Sequence, residues 1–132
     1  MSALYDKGRE SFLKGEISWN TDNIKAVLVD TDAYIVNLAT HQFITDVTGI
    51  TATSPNLSSK TTTTGIANAA SALFTAVTGN VSEALVLYQD SGTAATSRLI
   101  AYIDSASGLP VTPNGGDIQI TWDTGTNKIF KL

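Results

Sequence analysis

A chain of 132 residues falls within the range of one domain, and at that size folding buries roughly two-thirds of the unfolded surface. Its hydrophobic fraction of 42% is ordinary, but 15% charged residues, a net charge of -4 and no cysteine exclude a phosphate-neutralising basic stripe, a disulfide framework and a thiolate metal site. No apolar run approaches the roughly 18 residues of a membrane span, and Asp6, Lys7, Arg9 and Glu10 break up any signal-peptide apolar region.

Neither nucleic acid nor membrane is therefore expected as a partner, and synthesis in the cytoplasm is. With so few charges the surface must be largely neutral and polar. Threonine fills that role in runs such as Thr61 to Thr64, and its branched Cβ suits extended backbone.

The first segment predicts a short helix from Ser2 as N-cap to Gly15 as a left-handed stop. Its apolar face is thin, made of Leu4, Tyr5, Phe12 and Leu13, and Gly8 inside it costs about 1 kcal/mol of helix propensity relative to alanine. A helix this short is marginal alone and must lie on its own sheet or on a neighbouring subunit. Glu16 to Trp19, a polar turn at Asn20 to Asn23 and the doubly apolar run Ile24 to Val29 predict a hairpin with a buried second strand. Thr40 to Val47 reads as a short helix closed near Gly49. Ile50 to Thr64, Ser/Thr-rich around Pro55, reads as a loop followed by a polar edge strand at Leu57 to Thr63.

Gly65 to Val77 carries both helical and strand spacing, with extended chain expected over Ala72 to Val77. Beyond it, Ala84 to Gln89, Arg98 to Asp104, Ile118 to Asp123 and Lys128 to Leu132 are strand-like runs divided by turns, of which Asn114-Gly115 is the strongest signal. Ile118, Ile120 and Trp122 alternate with polar residues, which predicts one buried and one wet face in an antiparallel meander. The expected fold is mostly β, an antiparallel sandwich or barrel-like domain over residues 16–132 with a short N-terminal helix or arm over 1–15.

Chemistry-bearing residues are sparse. His41 is the one histidine, so a Ser-His-Asp triad has no other base, and Asp46 lies too close in sequence to be a persuasive partner. A solvated or capping histidine is the simpler expectation. Asp30-Thr31-Asp32, with Asp104, Asp117 and Asp123, raises a calcium site built from separate turns, but the EF-hand register is missing and turn capping is the commoner role. Gly115-Gly116 lacks the Gly-Lys-Ser/Thr of a phosphate loop. Trp19, Trp122 and the tyrosines Tyr5, Tyr34, Tyr88 and Tyr102 offer faces for sugar stacking, although Trp122 is placed inward by its alternation. No enzyme activity, cofactor or resident metal is expected.

Four stretches carry a further signal: Tyr5 to Ile17, Asn23 to Thr31, Leu109 to Ile118, and Asn127 to Leu132. Together they resemble small virion structural proteins of tailed bacteriophages, over nearly the whole chain, with Ile50 to Ala72 least characteristic. The resemblance implies a capsid decoration or cement protein on the virion, bound to the major capsid protein and to copies of itself, with a trimer as the expected oligomer. A tail or neck component, acting as a receptor- or glycan-binding module, is the alternative it leaves. In that setting Leu4, Tyr5, Phe12 and Leu13 form the expected protein interface of an N-terminal arm.

Overall fold

In the computed structural model, which describes residues 3–126 and 128–132, the most apolar runs of sequence lie at the centre of one sheet. The strands are β1 (Ala3–Leu4), β2 (Ile24–Val29), β3 (Ile50–Thr53), β4 (Ile66–Ala67), β5 (Ala72–Phe74), β6 (Ala84–Gln89), β7 (Leu99–Ile103), β8 (Ile118–Ile120) and β9 (Phe130–Lys131). Five of them form an antiparallel sheet of order β1-β7-β6-β2-β3. Two small antiparallel pairs, β4-β9 and β5-β8, make up the rest. The fold is mostly β, as the composition leads one to expect. It is no closed barrel: the large sheet is open, ending in β1 and β3.

Both faces of the large sheet are buried, which is why β2, β6 and β7 read as continuous apolar runs. Ala26, Leu28, Leu85 and Leu87 face a larger core shared with Phe74, Ile118, Ile120 and Trp122 of the second layer. Val27, Val29, Val86 and Tyr88 face a smaller core closed by Tyr34, Val47 and the loop around them. The pairing of β6 with β7 shifts register between Leu87 and Tyr88, so Ile100 is the extra residue of a bulge and joins the larger core beside Ala101.

The N-terminal helix α1 spans Asp6–Leu13 and is preceded by β1 rather than by further helix. Ser2, the expected N-cap, lies outside the described residues. The residue in that position is Tyr5, whose side chain makes no capping bond. Gly15 does adopt the left-handed conformation, at φ 73°. β1 pairs with Tyr102 and Ala101, and α1 continues along the same outer edge of β7. A Cβ on Gly8 would stand 2.8 Å from the Leu99 carbonyl oxygen and 3.0 Å from that of Ile100. The glycine that weakens the helix in isolation is what lets it sit on the sheet edge.

Other expectations are corrected. Glu16 to Trp19 forms no strand, so β2 has no hairpin partner before it and pairs instead with β6 and β3. Thr40 to Val47 shortens to a single 3-10 turn at Ile44–Asp46, because residues 42 to 44 are drawn onto the outer edge of β7 through Leu99 N–H to Gln42 O and Ile44 N–H to Ser97 O. The edge strand is Ile50–Thr53, not Leu57 to Thr63, which retains one bridge between Thr61 and Asn68. The expected meander stops after β6 and β7: β8 returns to pair with β5, and β9 with β4. The alternation of Ile118, Ile120 and Trp122 inward is as read.

Candidate functional site

Two polar clusters and one cavity concentrate what chemistry the chain has. The first cluster begins on the residue that precedes α1. Tyr5 is fully buried, and its hydroxyl lies 2.9 Å from that of Tyr34, which lies 2.7 Å from His41 Nδ1. The Asn37 backbone N–H also points at Nδ1, at 3.3 Å, which makes that nitrogen the acceptor and leaves the ring proton on Nε2. Tyr34 therefore donates to His41, and Tyr5 donates to Tyr34. Burial holds the Tyr5 hydroxyl far above the usual tyrosine range, and donating to Tyr34 raises it further. Tyr34 is also raised by burial, with the bond from Tyr5 working the other way.

The hydrogen bonds of the His41 ring run to Tyr34 and the Asn37 amide, and none of those described runs to a serine or threonine hydroxyl. Asp46 accepts the Gln42 and Phe43 backbone N–H groups on Oδ2, which lowers its carboxyl from the ordinary value. It caps the 3-10 turn instead of orienting the imidazole. The geometry is that of a hydrogen-bonded strut, buried at Tyr5 and Tyr34 and half-buried at His41, between the start of α1 and the 34–41 loop.

The second cluster holds Asp30, Asp32 and Glu83, whose carboxylate oxygens lie within 4.8 Å of one another. Asp30 Oδ1 accepts the Asp32 N–H at 2.9 Å and Oδ2 accepts Asn80 Nδ2 at 3.0 Å, while Glu83 Oε1 accepts the Thr31 N–H at 3.2 Å. Asp30 and Glu83 thus accept backbone N–H groups that hold the turn together, the capping role turn aspartates commonly take. Asp117 and Asp123 do not join them. Each caps a local or crossing backbone N–H, of Ala76 and Gly125 respectively. Glu83 escaped the sequence reading because only the pairing of Val29 with Ala84 carries it to the end of β2.

The expected interface residues separate. Leu4 and Tyr5 are buried in the protein's own two cores. Phe12 is half-buried against Phe130, with ring centroids 6.0 Å apart. Leu13 alone stands in solvent, 89% exposed. Neither tryptophan and no tyrosine presents an open face: Trp19, Trp122, Tyr5, Tyr34, Tyr88 and Tyr102 are all buried. A cavity of about 280 Å³ opens beside β1 and β7, bounded also by the chain leading into β9. Among the described residues no helix is long and apolar enough to cross a membrane. Compared with protein-family models and with curated proteins, the chain matches none.

Proposed function

We propose that the protein is a virion structural protein of a tailed bacteriophage, a decoration or cement protein that binds the major capsid protein on the outside of the head and associates with copies of itself as a trimer. The observation that carries this reading is the resemblance over Tyr5 to Ile17, Asn23 to Thr31, Leu109 to Ile118 and Asn127 to Leu132. A β body with a neutral, Thr-rich surface and with Leu13 and Ile35 standing 89% and 87% exposed is compatible with protein contacts, whose centres are depleted in charge. The glycan-binding alternative loses its stacking platforms, since each Trp and Tyr is turned inward.

The test is quantitative mass spectrometry of purified virions combined with co-sedimentation on heads assembled from the capsid protein of the same genome. Copies on the order of hundreds per particle and binding to heads are expected; about a dozen or fewer would move the protein to the tail or neck. Absence from virions together with no head binding sinks the reading. Leu13→Asp should weaken head binding while shifting stability by no more than about 0.5 kcal/mol, because the side chain touches little of its own fold.

A further inference from the structure

The chain's eight cationic side chains divide into two sets. Lys7 pairs with Glu10, Lys25 with Asp90 and Arg98 with Glu16, while Lys60 Nζ donates to the Asp22 carbonyl. Arg9, Lys14, Lys128 and Lys131 have no ion-pair partner among the described residues. Three of those four, Arg9, Lys128 and Lys131, line the cavity of about 280 Å³ beside β1. In a chain of net charge -4 this cavity wall thus carries three cations against one carboxylate, a local excess of positive charge. The acidic residue on the same wall, Asp123, has its Oδ1 engaged by the Gly125 N–H at 2.9 Å.

Apart from Ser105 the rest of the wall is apolar, with Ala3 and Phe130 half-buried at its surface and Leu4, Ile103 and Trp122 buried behind them. An inorganic anion would meet the cations and leave that apolar wall uncovered. β1, which contributes Ala3 and Leu4 to the wall, is the terminal strand of the large sheet, so an extended chain can run alongside it. We propose that this cavity takes an acidic segment of a partner protein, with carboxylates on Arg9, Lys128 and Lys131 and one apolar side chain against the half-buried Ala3 and Phe130. The inference deepens the decoration reading and rests on it for the partner being the capsid surface.

The probe is a blocked peptide, acetyl-Glu-Leu-Asp-Phe-Glu-amide, titrated into the full chain at low salt while the Trp122 indole N–H is followed by NMR. Saturable shifts at Trp122 and its neighbours are expected, about tenfold weaker binding in Arg9→Glu/Lys131→Glu, and an intermediate loss in Arg9→Gln/Lys131→Gln at unchanged melting temperature. No shift, equal binding of the Gln/Asn version of the peptide, equal binding by the charge-reversed variant, or shifts of the same size with inorganic phosphate alone would each overturn it. Head co-sedimentation separates this from the reading beneath it. Heads bound equally by parent and charge-reversed protein would overturn the cavity's role and leave decoration standing. Peptide binding lost in the variant, with neither protein binding heads, supports the cavity and removes decoration.

Discussion

Tyr34 is the middle member of a chain of three polar groups that runs from buried Tyr5 to half-buried His41, and its two neighbours depend on it unequally. Tyr34→Phe removes the acceptor of the Tyr5 hydroxyl, which lies in a fully buried side chain, and should cost about 1–3 kcal/mol in denaturant unfolding. Tyr5→Phe removes only a donor, leaving the Tyr34 hydroxyl still bonded to His41, and should cost about 1 kcal/mol. All four tyrosines are raised, chiefly by burial. A raised tyrosine contributes stability that is intact below the unfolded-state value of about 10 and is lost as pH climbs past it. Absorbance at 295 nm should therefore stay flat through pH 10 and then rise together with loss of β circular dichroism; a normal tyrosine titration in folded protein would contradict this. Asp90, lowered by Lys25, and Asp46, lowered by backbone N–H groups, act at the other end. Their contribution is present above about pH 3.9 and disappears as pH falls further, so the melting temperature should drop below that point. Trp122 was legible as a core residue from its alternation alone. Its bond to the Ala70 carbonyl, 52 residues away, was not, and neither was Glu83 beside Asp30.

Gly8 is where local propensity and tertiary packing disagree most sharply along a single element. In an isolated helix Gly8→Ala stabilises by about 1 kcal/mol, but here the added methyl meets two backbone carbonyls of β7 that cannot swing aside. The expected outcome in equilibrium unfolding is a loss of about 1–3 kcal/mol. The N-terminal segment as a whole behaves the same way. Read from sequence it is an arm with a thin apolar face; in the fold, β1 and α1 cover the outer edge of β7 and place Leu4 and Tyr5 in separate cores. Burial of those two side chains is worth about 1.5–3 kcal/mol each. Removal of residues 1–14 should accordingly abolish cooperative thermal unfolding; a truncated chain that melts cooperatively near the parent temperature would refute it. The helix existed in the sequence as a Gly-terminated amphipathic stretch. Its seat on the sheet edge did not, because contacts with Leu99 and Ile100 lie some ninety positions away in the chain.

At the scale of the molecule, three central strands buried on both faces leave little room for a wet sheet surface, so the neutral residues gather on loops and on the outer faces of the small β pairs. That division explains how a chain with 15% charged residues still forms two cores. The β class, the strands β2, β6 and β7 and the inward set of Ile118, Ile120 and Trp122 were determined by the sequence itself, because apolar runs and period-two alternation are local properties. Which strands pair, which edge receives the helix and which carboxylates and cations become neighbours were decided only by the tertiary structure. Register and long-range closure depend on residues far apart in the chain meeting at once, and no local pattern encodes that meeting.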